Sequence, residues 1–233
     1  MTIQPGRKTM PAADLLAQLN DDQAGIMITD PPWDLDGGTK FDECASYDRL
    51  DLQSIANTLQ DARRVLQPGA HLYLFAPASS SFFPIIDAFK DRGWHPIRLL
   101  SWGNGNDSGL GAYRNAFEPI LILSNGPSRG YPGPPNTYPS LLKQKIPHGR
   151  TAKPWQLYRI FLKMSAKPGE LAIDPYCGTN PPAQAIRRLN RQQPWIATDT
   201  LTPQEVNLDL ANLEPTQPNQ TQQTLPSTTE HKP

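Results

Sequence analysis

The apolar run Gly25-Ile26-Met27-Ile28-Thr29 meets Asp30-Pro31-Pro32-Trp33, and this junction constrains the fold more than any other stretch. The run reads as a buried strand. Two successive prolines supply no backbone donor and bias the residue before them away from helix, so the strand cannot continue and no helix can begin there. The chain must leave a sheet with a carboxylate at the strand's carboxyl end and an indole three residues on. A carboxylate accepts from an amine, carbonyls beside a proline are free acceptors, and an indole stacks on a flat heterocycle for about 1–3 kcal/mol per base. Together they could hold an exocyclic amino group beside an electrophile. An ordinary Asp-Pro turn followed by a packed Trp is the alternative.

Around this junction, strand and helix patterns alternate. Residues 11–20 read as a short helix with Leu15, Leu16 and Leu19 on one face. Residues 34–48 read as a loop over the site, 51–66 as a helix stopped by Gln67-Pro68-Gly69, and 70–76 as a strand. A helix over 80–91 precedes strands over 94–102 and 117–124, whose nearness suggests an antiparallel pair. A helix follows Lys153-Pro154, then a strand over 170–173. Asn180 can cap a helix with Pro181 at its first position, and a last strand over 193–197 leads to Asp199. Such alternation predicts an α/β fold: a mostly parallel sheet with helices on both faces.

Charge and composition narrow the function. The 233 residues carry no net charge, yet residues 119–169 contain no acid and eight bases. A one-sign segment suggests a face for polyanions, with a solvated surface as the alternative. Within it, 125–151 holds six prolines and is too long for an idle connection. Its Arg129, Tyr131, Tyr138, Lys143, Lys145 and Arg150 could track a nucleic-acid backbone and stack on bases. Two distant cysteines, Cys44 and Cys177, make neither a disulfide framework nor a zinc site. With no signal peptide and no apolar run near eighteen residues, the expectation is a soluble, cytoplasmic protein with no membrane partner. Residues 201–233 are too poor in large apolar groups to form a core and read as a disordered tail, leaving 1–200 as the folded domain.

A second constellation closes the folded part. Asp174-Pro175-Tyr176-Cys177-Gly178-Thr179-Asn180 follows the strand over 170–173. Glycine at 178 lets a backbone approach a ligand closely. Asp174, at a strand's carboxyl end, lies where open α/β sheets bind ligands, and the acid ending the next strand, Asp199, suits a ribose diol. The glycine-rich 103–111 has no Gly-Lys-Ser/Thr ending, so it is not a phosphate-binding loop. No Gly-x-Gly-x-x-Gly joins a strand to a helix, which argues against a nicotinamide-dependent oxidoreductase.

With both constellations in view, the chain resembles the amino methyltransferases that use S-adenosylmethionine, most closely the DNA adenine or cytosine enzymes of the permuted beta-type order. The resemblance covers 11–200. It includes Asp30 to Trp33, Tyr47, Val65 to Gly69, Glu118, Lys153-Pro154, Lys167 to Leu171, Asp174 to Gly178 and Trp195 to Asp199. It implies a Rossmann-like, mostly parallel seven-stranded sheet with one antiparallel strand. It makes Asp30, Pro31, Pro32 and Trp33 the catalytic residues. Asp174, Tyr176, Cys177, Gly178, Asn180 and Asp199 become cofactor-binding residues, and Lys153 begins the helix that closes over the cofactor's methionine end. Residues 103–150 become the target-recognition insertion. The chain departs from the family at Asn180-Pro181-Pro182, where Gly-Thr-Thr is usual. It also needs one further strand on the cofactor side, from about residues 2–9, where Pro5 and Gly6 make a poor strand.

The implied reaction is methyl transfer to the exocyclic amine of adenine in DNA, with Asp30 and a Pro31 carbonyl accepting from the amine and Trp33 stacking on the base. RNA adenosine and the cytosine amine of DNA are alternatives. Carbon-5 cytosine chemistry is disfavoured because no Pro-Cys dipeptide offers a nucleophile. A catalytically inactive nucleic-acid-binding protein that keeps the fold is an alternative of another class, favoured by Asn180-Pro181-Pro182.

Overall fold

A computed structural model describes residues 6–34, 50–103, 117–135, 138–143, 153–178, 181–189 and 192–199. The elements run β1 (Gly6–Thr9), α1 (Ala12–Gln18), β2 (Ala24–Thr29), α2 (Leu52–Val65), β3 (Leu66–Phe75), α3 (Phe82–Asp91), β4 (Trp94–Gly103), β5 (Glu118–Asn125), β6 (Leu141–Lys143), α4 (Trp155–Ser165), β7 (Leu171–Asp174), α5 (Pro181–Arg187) and β8 (Trp195–Asp199). The described strands form one eight-stranded sheet in the order β1-β8-β7-β2-β3-β5-β4-β6. β5 alone is antiparallel to its neighbours, β3 and β4; every other pairing is parallel.

The continuous apolar runs of the central strands arise because both faces of the sheet are covered. Met27, Leu72, Leu74, Leu121 and Leu123 pack under α1, α2 and α3. Their alternates Ile26, Ile28, Tyr73, Phe75, Ile120 and Ile122 pack under α4 and α5. Helix α2 shows how the sequence sets one such element. The Asp51 carboxylate accepts from the Ser54 N–H at 2.9 Å and so caps the first turn, while Ile55, Leu59 and Ala62 are fully buried on one face.

One expected strand and one additional strand complete the sheet. The N-terminal strand does form, over Gly6–Thr9, parallel to β8; Gly6, at φ 132°, begins it, so the glycine that weakened the reading is the strand's entry. β6 is an eighth strand inside a segment read as loop. Only Leu142 of its three residues is buried, too short a pattern to register as a period of two. Residues 201–233, most of the stretch read as a loop over the site, and residues 104–116, 136–137 and 144–150 of the stretch read as a recognition insertion lie outside the described residues.

The amino ends of the strands are closed by residues 126–133. Gly69 lies at φ 71°, and a Cβ there would meet the Arg129 nitrogen and the Pro127 oxygen at 2.7 Å, so the crossing requires glycine. The Arg129 guanidinium pairs with Glu170 at 2.7 and 3.0 Å and donates to the carbonyls of Gly25 and Ser165. Beside it, His71 is fully buried. Its ring nitrogens lie 2.8 Å from the Ser165 and Ser128 hydroxyls, and Ser165 also meets the Tyr73 hydroxyl at 2.7 Å. Burial, and secondarily the Arg129 charge, push the His71 pKa down to about 4.

The carboxyl ends carry the other half of the architecture. From β2 the chain moves to β3, skips one place to β4, returns to β5 between them and then reaches the edge at β6. It returns to β7 on the other side of β2 and continues to β8. The strand order therefore reverses between β2 and β7, where open α/β sheets bind ligands.

Candidate active site

Asp30 and Asp174 end the two strands that flank this switch point. After β2 the two prolines force a tight exit. The Pro31 carbonyl accepts from the Trp33 N–H at 2.9 Å, leaving its second lone pair for another donor. The Pro32 carbonyl accepts from Leu50 at 2.8 Å, and Asp34 donates back to Leu50 at 2.9 Å. Residue 33 is thus clamped against the start of α2. The Trp33 indole N–H donates to the carbonyl of Phe75, the last residue of β3, at 3.0 Å, which fixes the plane of a half-buried ring.

Asp30 is anchored by one oxygen. Its Oδ2 lies 2.7 Å from the Lys153 ammonium, which also lies 3.2 Å from Glu118 Oε2. The ammonium sits across the end of β3, 5.5 Å from the Phe75 ring centroid and 5.8 Å from that of Trp102. The Lys153 side chain is 11% exposed, those of Asp30 and Glu118 26% and 28%. Burial raises the Asp30 pKa, Lys153 pulls it back, and Glu118 pushes it up. Burial alone would lower the Lys153 pKa; Asp30 and Glu118 outweigh it, and the pKa is raised.

Next to Asp30 lies the turn after β7. Asp174 is buried; its Oδ1 accepts from the Tyr176 N–H and its Oδ2 from the Tyr158 hydroxyl, both at 3.2 Å. Burial pushes its carboxyl up to about 8, against the lowering effect of those two donors and with Asp30 adding repulsion. Gly178 takes φ 45° and donates its N–H to Asp199 Oδ2 at 2.8 Å. The Cys177 N–H donates to the Thr198 carbonyl at 2.9 Å. The turn after β7 is thereby tied to the end of β8, and the space where a Cβ of residue 178 would stand is open to 4 Å. A buried carboxyl, an acid ending the adjacent strand and a backbone without side chain make a pocket fit for a polar ligand carrying amine and diol groups.

A family model described as "N6_N4_Mtase: DNA methylase" matches residues 25–202, well over half of the chain's 233 residues. The chain belongs to this DNA methylase family. The fold of the methylase is similar to that of the PvuII DNA methyltransferase (cytosine-N4-specific), at TM-score 0.68 and 15% identity over 88% of this chain and 85% of that one. It is similar to M1.HpyAVI in its complex with SAM, at TM-score 0.64 and 15% identity over 91% and 99%. It is also similar to TTHA0409 of Thermus thermophilus complexed with S-adenosyl-L-methionine, at TM-score 0.66 and 16% identity over 89% and 93%. No curated protein sequence matches the methylase.

The residues expected to meet nucleic acid are not gathered in one place. The Arg129 guanidinium is engaged in a part-buried pair with Glu170 at the amino end of the sheet, the end away from Asp30. Tyr131 lies beside it, its ring 4.7 Å from His71. Tyr138 is exposed, and Lys143 ends β6, level with Gly103 at the carboxyl end of β4 and therefore on the Asp30 side of the sheet. Lys145 and Arg150 lie outside the described residues, as does Asn180. The Lys153 ammonium lies on Asp30, one strand from the turn after β7. Tyr176 lies against the core under α1–α3, and the buried Cys177 thiol sits among groups that tie β7 to β8. Sequence reasoning missed Tyr158, whose signal is a polar ring on the inward face of α4, and the pairing role of Glu118, a carboxylate opening an otherwise apolar strand.

Proposed function

We propose that the methylase transfers a methyl group from S-adenosylmethionine to the exocyclic amine of adenine in DNA. The observation that carries this reading is the half-anchored Asp30 carboxylate at the switch point. Lys153 holds Oδ2, and Oδ1 has no hydrogen-bond partner among the described residues. It stands one strand away from the turn that Gly178 and Asp199 shape.

S-adenosylmethionine, when bound, supplies a sulfonium methyl carbon that is already electrophilic. Gly178 would leave room for it, Asp199 would hold its ribose and Asp174 its amine. The target amine is a weak nucleophile because its lone pair is delocalised into the ring. Asp30 Oδ1 and the second lone pair of the Pro31 carbonyl accept from its two protons, which favours a pyramidal nitrogen with the lone pair aimed at the methyl. With the methyl delivered from bound S-adenosylmethionine, the Asp30 carboxylate would take the proton that the amine loses and return it to water. Positioning and fixed charge supply most of the acceleration. Trp33 is a stacking platform whose plane the Phe75 carbonyl sets. A base within a duplex must be flipped out to reach it, at a cost of a few kcal/mol.

Adenine is favoured over cytosine by the carboxylate at 30, since the cytosine enzymes this chain resembles more often begin the motif with Ser, and by Trp at 33. The test is tritiated methyl transfer to unmethylated duplex DNA, single-stranded DNA and RNA, followed by nucleoside separation. Label in N6-methyladenine of DNA is the expected result. Label in N4-methylcytosine, or in RNA alone, would overturn the substrate assignment.

A further inference from the structure

We infer that Lys153 and Glu118 are positioning residues for the transfer: Lys153 holds and aims the Asp30 carboxylate, and Glu118 holds Lys153. The inference rests on the proposed reaction and adds to it the device that makes Asp30 usable.

Three elements distant in sequence converge on one ammonium. Asp30 follows β2, Glu118 opens β5, and Lys153 precedes α4; β3 lies between the first two in the sheet. Lys153 spans that strand's end with its ammonium near the Phe75 and Trp102 rings, so it keeps little water of its own. A buried ion group of this kind is weak evidence for stability, because apolar replacements of similar volume often serve as well or better. Its position on the carboxylate at the switch point calls for another reason.

Chemistry supplies that reason. An acceptor for amine protons must be ionised, and burial works against ionisation. Among the described residues, the charged or titratable groups facing Asp30 are Lys153 and Glu118 across β3, with Asp174 and the Tyr158 hydroxyl on its β7 side. Of these only Lys153 favours the charged form. Its contact with Oδ2 also fixes the rotation of the carboxylate, so Oδ1 is the oxygen left for the substrate. Glu118 has the opposite electrostatic sign and a mechanical role: it holds the other side of the ammonium at 3.2 Å, so that Lys153 cannot swing away when Asp30 is briefly protonated.

The two partners therefore act on Asp30 in opposite directions, and the acid limb of kcat follows those shifts only if Asp30 is the group the transfer uses. The experiment follows the Asp30 carboxyl by carbon-13 NMR in cofactor-free protein labelled at the Asp side chains, with Asp30→Asn to assign the signal. It also records the pH profile of kcat for methyl transfer. Lys153→Met is expected to move the Asp30 midpoint, and the acid limb of kcat, up by about one pH unit or more. Glu118→Gln is expected to move both down while lowering kcat. Lys153→Arg is expected to return the midpoint towards the wild-type value. Midpoints unmoved in the two folded variants, or moved in the same direction, would overturn the inference. Glu118→Gln decides alone if Lys153→Met does not fold. If wild-type protein transfers no methyl to any nucleic acid, the proposed function fails, while the NMR midpoints still decide whether the pair governs Asp30.

Discussion

Acid should destabilise this protein through His71 before most of its carboxylates are neutralised. The ring is fully buried against two serine hydroxyls, and burial with the nearby Arg129 charge lowers its pKa from 6.5 to about 4. A depressed histidine pKa means that the unfolded chain binds the proton first. The stabilisation is complete above pH 6.5 and is lost as pH falls through that value towards 4. At about 1.36 kcal/mol per pKa unit, the loss is about 2 kcal/mol at pH 5 and about 3 kcal/mol at pH 4. The assay is urea unfolding at pH 7, 6, 5 and 4 for wild type and for His71→Gln, which has no proton to gain. Wild type should lose about 2 kcal/mol more than the variant between pH 7 and 5. Parallel pH curves for the two proteins would refute the reasoning, because losses from other carboxylates are common to both.

Three further substitutions separate the ends of the sheet. Arg129→Met strands the part-buried Glu170 carboxylate and should cost about 1–3 kcal/mol of stability, while the salt dependence of DNA binding by the folded variant stays as in wild type; a reduced salt slope would put Arg129 on the nucleic-acid surface. Gly178→Val should weaken S-adenosylmethionine binding by at least about tenfold in calorimetry, because φ 45° is strained for a branched residue and the side chain fills the open space. Trp33→Phe removes the indole donor to Phe75 and should cost about 1 kcal/mol in unfolding, with methyl transfer slowed more than cofactor binding is weakened; equal transfer would mean that the fixed ring plane is not used.

The legible parts of this chain were those where one local pattern has one physical outcome. An apolar run stopped by two prolines leaves a sheet wherever it sits, so the Asp30 exit was visible. The turn from Asp174 to Gly178 was visible for the same reason, as a carboxylate and a glycine after a strand. Pairings that depend on distant partners were not visible. Lys153 reads as the opening of a helix, and nothing nearby says that Asp30 and Glu118 will meet its ammonium. Arg129 lies in a basic, proline-rich segment, but sign and composition do not say which end of the sheet a loop crosses. Here it crosses the amino ends and buries its charge on Glu170. His71 hides in the strand over Ala70–Ala76 because a polar residue on a buried face is tolerated only when its partners, Ser165 and Ser128, arrive from elsewhere.

The most direct test of the central claim is tritiated methyl transfer from S-adenosylmethionine to unmethylated DNA by wild type and Asp30→Ala, with cofactor binding measured by calorimetry on both. The half-anchored carboxylate predicts label in adenine from wild type, a fall of at least about 10²-fold in the variant, and cofactor affinity within a few-fold of wild type. Transfer by Asp30→Ala at the wild-type rate, or no transfer by folded wild type that binds the cofactor, would contradict it.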